Sequence, residues 1–293
     1  MSLRSERVTP RLLRGWGLPD PGDSKYSRGT VLVVGGALRS PGAAILAGTA
    51  ALRVGAGRIT LAVARSVAPS VGAAVPESGI VALPETDRGS VRAEASAVLV
   101  PELDRVQAVL VGSGLDDIEV AGRLLASLAA EAPESVVFVV DAFALGALAA
   151  DPDLASAVRG RLILTPSPTE LGVLLDEDEV DASDAREIRR AARETARRYG
   201  AAVATQSLVA DADGSAWAIR AGGAGLGTSG SGDVLAGAVA GFAARGVSPA
   251  RAAVWATYVH ATAGDELARG TDGVGFLAGE LAPRFPGVIA DVR

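Results

Sequence analysis

Residues 227–237 have the composition of a phosphate-binding turn that also presents a carboxylate. The sequence GTSGSGDVLAG places small residues before Asp233 and apolar residues after it. Small side chains leave the backbone N–H groups of Ser231, Gly232 and Asp233 free to converge on an anion, and the positive end of a following helix adds to the attraction. Asp233 would then take a proton from a hydroxyl beside bound phosphate. The same spacing also fits a structural role, in which Asp233 only caps a buried helix.

Three residue types that often carry catalysis are rare or absent in this chain. The lack of cysteine excludes disulfides, thiolate metal sites and cysteine nucleophiles. The single lysine, Lys25, follows no glycine-rich turn, so a Walker-type phosphate loop is excluded. The single histidine, His260, is predicted to lie in the middle of a helix, packed or hydrogen-bonded rather than catalytic. Phosphoryl transfer in this chain would therefore depend on a glycine turn rather than on a lysine-bearing loop.

The overall composition narrows the class of protein. Hydrophobic residues make up 49% of the chain but aromatic residues only 4%, so the core must consist of Ala, Val and Leu. The net charge of −6 leaves no basic face for nucleic acid. We expect a cytoplasmic protein with no membrane partner, because no apolar run is long enough to cross a bilayer and the N-terminus lacks the apolar core of a signal peptide.

Short apolar runs alternate with alanine-rich segments of helical periodicity. The predicted strands are residues 30–34, 59–63, 108–111, 136–140, 162–164 and 202–204. The predicted helices between them are residues 42–54, 119–131, 143–149 and 186–199. A hairpin (207–210 and 216–219) and two long helices (232–245 and 249–268) complete the chain. This alternation predicts an α/β fold with a central, mostly parallel sheet and helices on both faces. No linker divides the chain, which indicates one domain, 1–293.

Several candidate functional turns directly follow predicted strands. They are Gly35-Gly36 after the first strand, Gly112-Ser113-Gly114 after the third, Asp141 after the fourth and residues 165–170 after the fifth. Ligands bind at the carboxyl ends of the strands in open parallel sheets, so these turns are expected at one edge. Asp141 could contact a metal or a phosphate there, or it could hydrogen-bond its own turn.

Taken in order, these motifs resemble the ADP- or ATP-dependent NAD(P)H-hydrate dehydratases, a branch of the ribokinase-like fold. The resemblance covers about residues 8–287. The matching segments are 31–36 with 41–44, 51–60 (ALRVGAGRIT), 76–77, 112–115, 141–145, 164–175 (LTPSPTELGVLL), 227–237, 258–260 and 275–281 (GFLAGEL).

The resemblance implies a repair reaction on damaged reduced nicotinamide cofactors. ADP or ATP, with Mg²⁺, phosphorylates a hydroxyl on the hydrated ring, and loss of phosphate restores NADH or NADPH. Asp233 would be the base, and Gly230, Ser231 and Gly232 would hold the transferring phosphoryl group. The implied substrate contacts are Ala43, Ala44, Gly114, Ser167 and Asp233. The implied nucleotide contacts are Val203, Ala204, Thr205, Gln206, Ser207 and Gly232. The sequence does not locate ligands for the metal, and bacterial relatives suggest a homotetramer.

Departures from the family pattern keep two other functions open. Ser167 and Thr169 replace the His and Gly of the TPHPGE motif, and Ser113 lies where the GPGLG turn has Pro. In an ungapped alignment Val203-Ala204 replaces a Lys-Gly pair of the family. Loss of this Lys-Gly pair would weaken ADP binding or change the mode in which ADP binds. The alternatives are a small-molecule kinase of the same fold and a degenerate homologue that binds a nucleotide without turnover.

Overall fold

One ten-stranded sheet organises residues 5–177 and 180–293, the part of the chain that the computed structural model describes. The predicted domain 1–293 also includes residues 1–4 and 178–179, which lie outside that part. The strands are β1 (Glu6–Arg7), β2 (Thr30–Val34), β3 (Arg58–Ala64), β4 (Gly79–Leu83), β5 (Ala108–Val111), β6 (Val137–Val140), β7 (Leu162–Leu164), β8 (Ala202–Thr205), β9 (Leu208–Ala210) and β10 (Ala216–Ala218). Their order in the sheet is β1-β10-β9-β8-β7-β6-β5-β2-β3-β4.

The central strands are parallel and almost completely buried. Strands β4, β3, β2, β5, β6, β7 and β8 form a continuous parallel block, and β9 and β10 extend it in antiparallel pairing. Every residue of β2, β5 and β7 is buried, because these short runs of Val, Leu and Ile are covered from both sides. The parallel pairing brings the carboxyl ends of β2, β5, β6 and β7 to the same edge of the sheet.

Two groups of helices cover the sheet. The α-helices of the described residues are α1 (Pro10–Trp16), α2 (Pro41–Arg53), α3 (Ala68–Ala74), α4 (Ser96–Leu99), α5 (Ile118–Glu131), α6 (Phe143–Ala150), α7 (Pro168–Leu175), α8 (Ala185–Tyr199), α9 (Ser231–Ala244), α10 (Pro249–Ala268) and α11 (Phe285–Val292). Helices α2, α9 and α10 pack in series on one side, and α5, α6, α7 and α8 pack in series on the other. The predicted mostly parallel sheet with helices on both faces is confirmed.

Close packing of α2 against α9 fixes the position of the glycine turn. A Cβ at Gly237 would collide with the carbonyl oxygen of Ala47, and a Cβ at Gly241 would lie 2.7 Å from that of Ala51. The two glycines therefore allow the backbones of α2 and α9 to approach each other closely. Since α2 begins at the carboxyl edge of the sheet, this contact holds the first turn of α9 at that edge.

The predicted strands and helices are confirmed with small shifts at their ends. The predicted helix 42–54 is Pro41–Arg53, and the predicted strand 59–63 is Arg58–Ala64. The sequence analysis missed β1, β4, α1, α3, α4, α7 and α11. Among these, β4 lies at the edge of the sheet and is only partly buried, so its residues lack the continuous burial of the central strands.

Candidate active site

A cavity of about 760 Å³ lies at the carboxyl edge of the parallel strands. It is bounded by the ends of β6, β7 and β8, the first turn of α9 and the middle of α10. Seven of the predicted site residues line it: Ser167, Ala204, Gln206, Ser207, Ser231, Gly232 and Asp233. Six others do not line it: Ala43, Ala44, Gly114, Val203, Thr205 and Gly230.

The first turn of α9 offers free backbone amides to this cavity. Gly230 precedes the helix with a φ of +89°, and a Cβ there would lie 2.5 Å from Leu46 Cδ1. The Ser231 N–H donates to the carbonyl oxygen of Thr228 at 3.2 Å, whereas the amides of Gly232 and Asp233 have no backbone acceptor among the described residues. These orphan donors and the positive helix end favour an anion at this point. The predicted amide turn is thus present, with the Ser231 amide already engaged.

Asp233 projects from the first turn of α9 and is half-buried at the cavity wall. Burial raises the pKa of its carboxyl group, and hydrogen bonding by Ser113 opposes part of that rise. A carboxylate with a raised pKa is a stronger base than an exposed one, which suits proton removal near neutral pH. The side chain does not cap its own helix, because no side chain forms a cap at the start of α9.

A second carboxylate, Asp141, lies buried behind Asp233 at the end of β6. Its Oδ2 accepts a hydrogen bond from Ser113 Oγ at 2.9 Å, and its Oδ1 accepts one from Thr165 Oγ1 at 2.8 Å. Burial, followed by the charge of Asp233, raises the pKa of Asp141 from 3.8 to about 7, and both hydroxyls oppose the rise. The hydroxyl of Ser113 therefore lies between two carboxylates whose charges repel each other.

His260 is buried on α10 and hydrogen-bonded, as predicted. Its Nε2 lies 3.1 Å from both the hydroxyl and the carbonyl oxygen of Ser231. Burial lowers the pKa of His260 from 6.5 to about 4, so the ring is neutral at pH 7. A neutral imidazole in this position fixes Ser231, and through it the first turn of α9.

Ala43, a predicted substrate residue in the first turn of α2, is half-buried and forms a separate patch with Gly114, whereas the predicted residue Ala44 is fully buried in the core. A Cβ at Gly114 would lie 2.9 Å from Ala43 Cβ and 2.5 Å from the carbonyl oxygen of Ser40. Leu46, one turn further along α2, contacts Gly230. The patch therefore borders the glycine turn without lining the cavity.

Ser167, a predicted substrate contact, is the N-cap of α7. Its Oγ accepts from the Glu170 N–H at 3.3 Å, and Glu170 Oε2 accepts from the Ser167 N–H at 2.8 Å. This reciprocal capping box stabilises the start of the helix. Ser167 thus has a structural role while also lining the cavity.

The predicted nucleotide residues alternate between two environments. Val203, Ala204 and Thr205 are all buried in β8, but of these three only Ala204 borders the cavity, because alternate residues of a strand face opposite sides of the sheet. Gln206 and Ser207 form the tight turn between β8 and β9, and Gln206 has a φ of +48°. The side chain of Val203 is therefore not positioned where a phosphate-binding lysine could act, so the ungapped alignment does not bring that residue to the cavity.

Two features of the cavity were missed by the sequence analysis. The contact between Ser113 and both carboxylates joins residues from β5, β6 and α9, and no local pattern signals it. The second feature is the loop Gly222-Gly223-Ala224, whose residues line the cavity and whose Gly222 N–H donates to Asp265 Oδ1 at 3.0 Å. The two adjacent glycines of this loop are the feature of the sequence that could have indicated its position at the cavity.

Two properties concern the described residues as a whole. Each helix in residues 5–177 and 180–293 is too short or too polar to span a lipid bilayer. No group of three or more His, Asp or Glu side chains among them could hold a metal ion.

Comparison with known sequences finds close relatives over nearly the whole chain. The family model described as NAD(P)H-hydrate dehydratase matches residues 31–285. The chain is 40% identical over 288 residues to the ADP-dependent (S)-NAD(P)H-hydrate dehydratase of Xanthomonas campestris pv. campestris, covering 98% of this chain and 96% of that protein. It is 36% identical over 268 residues to the bifunctional NAD(P)H-hydrate repair enzyme Nnr of Moorella thermoacetica, covering 90% of this chain and 50% of that protein.

Comparison with solved structures identifies the fold. A ribokinase-like superfamily protein from Enterococcus faecalis has a TM-score of 0.82 at 22% identity, covering 98% of this chain and 96% of that one. The ADP/ATP-dependent NAD(P)H-hydrate dehydratase from Bacillus subtilis, co-crystallised with ATP/Mg²⁺, has a TM-score of 0.80 at 24% identity over the full length of both chains. The predicted ribokinase-like fold is confirmed.

Proposed function

Because this chain belongs to the NAD(P)H-hydrate dehydratase family, we propose that it repairs hydrated NADH or NADPH in a nucleotide-dependent dehydration. The observation that carries the proposal is the position of Asp233. Its carboxylate lies beside the free amides of the first turn of α9, at the wall of a 760 Å³ cavity. A base next to an anion site is what transfer of a phosphoryl group to a hydroxyl requires.

The chemistry divides a difficult elimination into two easier steps. Hydroxide is a poor leaving group and phosphate is a good one, so phosphorylation of the ring hydroxyl lowers the barrier to its loss. In the first step Asp233 takes the hydroxyl proton while the oxygen attacks the terminal phosphorus of the nucleotide. The bond from that phosphorus to its bridging oxygen breaks, and the shortened nucleotide leaves. In the second step the carbon–oxygen bond breaks and phosphate departs with the electron pair. The neighbouring ring carbon loses a proton to solvent, and the electron pair of that C–H bond forms the ring double bond.

The free amides of Gly232 and Asp233 and the positive end of α9 hold the transferring phosphoryl group in this proposal, and Gly230 provides the turn that precedes them. Such preorganised donors stabilise charge that develops in the transition state, and loss of one typically costs on the order of 10²–10³ in rate. Ser231 contributes through its position rather than its amide, since that amide donates to Thr228. His260 keeps Ser231 in place from α10.

Ser113 and Asp141 act on Asp233 as positioning residues. The buried Ser113 hydroxyl hydrogen-bonds Asp141 and lowers the pKa of Asp233, which keeps the base ionised at a lower pH than burial alone would allow. Asp141, with a pKa of about 7, is half-protonated near neutrality and thereby limits the repulsion that its charge exerts on Asp233.

The donor set around the cavity fits a Mg²⁺ ion that arrives with the nucleotide. The carboxylates near the cavity are Asp141, Glu170 and Asp233; both oxygens of Asp141 accept hydroxyl hydrogen bonds, and Oε2 of Glu170 accepts the Ser167 amide. Mg²⁺ usually keeps several waters and is held by phosphates with one or two carboxylates, so a protein cage is not needed. Oε1 of Glu170 would be available to such an ion, which would neutralise phosphate charge during transfer.

The remaining assignments belong to the same proposal. The patch of Ala43 and Gly114 borders the glycine turn and would receive the hydrated nicotinamide with Ser167, while the buried Ala44 would support the patch from the core. The turn of Gln206 and Ser207, with Ala204, would contact ADP or ATP; Val203 and Thr205 would support that strand from the core. We place the protein in the cytoplasm, where reduced nicotinamide cofactors are used, and expect one domain, 1–293, that assembles as a homo-oligomer.

A turnover assay tests the function. Purified protein is mixed with NADH hydrate, Mg²⁺ and either ADP or ATP, and the near-ultraviolet absorbance of the reduced nicotinamide is followed. The proposal expects absorbance to return only when a nucleotide is present. No recovery while calorimetry still detects nucleotide binding would contradict it and favour either a kinase for another alcohol or a homologue that binds a nucleotide without turnover. Loss of both turnover and nucleotide binding would contradict the proposed nucleotide site as well.

A further inference from the structure

A second cavity, of about 230 Å³, lies at the far end of α9 from the active site and is lined by four arginines. Arg28 comes from the segment before β2, Arg53 from the last turn of α2, Arg245 from the end of α9 and Arg293 from the end of α11. The helix α9 has 14 residues, so about 21 Å separates the two cavities along its axis.

Arg245 is the buried member of this arginine cluster, with only 9% of its surface exposed. Its Nη1 donates to the Val54 carbonyl oxygen at 2.7 Å, at the end of α2. Gly55, with a φ of +101°, passes so close that a Cβ there would lie 3.2 Å from Nη1. The Nε and Nη2 atoms have no hydrogen-bond partner among the described residues. The guanidinium group is thus held rigidly by one donor while its other donors remain available.

No negative side chain balances the arginine cluster. The cavity is lined by no Asp or Glu, and none of the four arginines forms an ion pair within residues 5–177 and 180–293. Burial, followed by the positive charges of Arg293 and Arg28, lowers the pKa of Arg245. Four cations that repel one another around a cavity form a site whose missing component is an anion.

Helix-end electrostatics account for only part of this arrangement. The negative ends of α2 and α9 favour a cation near Val54 and Arg245, and one guanidinium donor is enough to satisfy the free carbonyl. That role does not explain why three further arginines surround the same cavity without partners.

We propose that the arginine cluster of Arg28, Arg53, Arg245 and Arg293 is a binding site for a phosphoryl oxyanion, separate from the active site. Guanidinium groups present several donors in a planar fork that matches phosphate oxygens. The volume selects a small anion, because drug-sized ligands occupy cavities of roughly 300–1,000 Å³. A free phosphate or pyrophosphate fits this description, whereas a whole dinucleotide does not.

Calorimetric titration with inorganic pyrophosphate at constant ionic strength tests the proposal. Arg53→Gln removes one exposed cation of the cluster, and Arg197→Gln removes a matched exposed arginine in the last turn of α8. Arg53→Gln is expected to weaken binding by roughly tenfold, the effect of losing one charge-assisted hydrogen bond. Arg197→Gln is expected to leave binding unchanged. Any binding of pyrophosphate to the active site is the same in both variants. The difference in their affinities therefore measures binding at the arginine cluster alone.

Two further variants keep the test decisive. Arg28→Gln, also on the surface, should weaken pyrophosphate binding in the same way. Arg245→Gln is informative only if the variant folds, because Arg245 hydrogen-bonds the Val54 carbonyl oxygen at the end of α2. Turnover of the Arg53→Gln variant is expected to match the unmodified protein, since the arginine cluster lies outside the active site. Equal affinities in Arg53→Gln, Arg28→Gln and Arg197→Gln would overturn the proposal. An altered oligomeric state without weaker pyrophosphate binding would also overturn it and assign the arginine cluster to a subunit contact.

Discussion

Replacing Asp141 with asparagine should stabilise the protein near neutral pH while impairing turnover. Asp141 is buried behind Asp233, and its carboxylate accepts hydrogen bonds from Ser113 and Thr165. An asparagine oxygen can accept from one of these hydroxyls without carrying a charge. The substitution therefore removes the energetic cost of ionising a buried carboxyl group, and it also removes the group that shares the Ser113 hydroxyl with Asp233.

The pKa of Asp141 sets the size and direction of the effect on stability. A pKa of about 7 in the folded protein, against 3.8 for the ordinary group, corresponds to about 4 kcal/mol. Because the folded pKa is raised, the unfolded chain loses this proton first. The stability contributed by the protonated group is complete below pH 3.8 and is lost as the pH rises to about 7. Asp141→Asn should abolish this loss, so its advantage should reach up to about 4 kcal/mol above pH 7.

Urea denaturation at a series of pH values between 4 and 8 measures this difference. Asp104→Asn, on an exposed residue, is the matched control for removing a carboxylate. The difference in unfolding free energy between Asp141→Asn and the unmodified protein should grow with pH, and that of the control should stay flat. A difference that does not vary with pH, or that falls as pH rises, would refute the reasoning.

Three other predictions concern the same site. Ser113→Ala removes a hydrogen bond that lowers the pKa of Asp233, so the acidic limb of the kcat/KM profile should move to higher pH. An unshifted limb would contradict this, and Thr195→Val, which deletes a buried hydroxyl elsewhere, is the control. Because the buried His260 ring resists protonation, the unmodified protein should lose about 3 kcal/mol of unfolding free energy as the pH falls from 6.5 to about 4. His260→Gln should remove this pH dependence. Urea titrations that give both proteins the same dependence on pH would contradict the prediction. Gly230→Ala should lower the unfolding free energy, measured by thermal unfolding, by about 1–2 kcal/mol because Gly230 has a positive φ. Gly232→Ala should not lower it, because the space around a Cβ at Gly232 is open. Equal effects of the two substitutions would contradict this prediction.

The sheet and its functional edge were predictable because their signals are local. Continuous apolar runs such as Thr30–Val34 and Ala108–Val111 indicate buried parallel strands, and the turns that follow parallel strands must meet at one edge. The start of α7 also had a readable signal. Ser167 and Glu170 form the Ser-x-x-Glu capping box that marks a helix N-terminus, but the sequence analysis treated this segment as a candidate functional turn and a family motif.

The details of the site were not predictable because they depend on which elements become neighbours. Ser113 contacts Asp141 and Asp233 only after β5, β6 and α9 have packed, and these residues are far apart in sequence. The side chain of Val203 lies in the core because Ala204 takes the other face of the strand, and alignment by spacing alone does not reveal that alternation. Tertiary contact, rather than local pattern, decides both cases.

The comparison of Asp233→Asn with the unmodified protein is the most direct test of the central claim, that Asp233 is the base at this anion site. Turnover of NADH hydrate and calorimetric binding of ADP are measured on both proteins, because the substitution removes the base while it leaves the amides of α9 in place. We predict a loss of roughly 10²–10⁴ in turnover, the usual contribution of a general base, with ADP binding nearly unchanged. Turnover close to that of the unmodified protein would contradict the account.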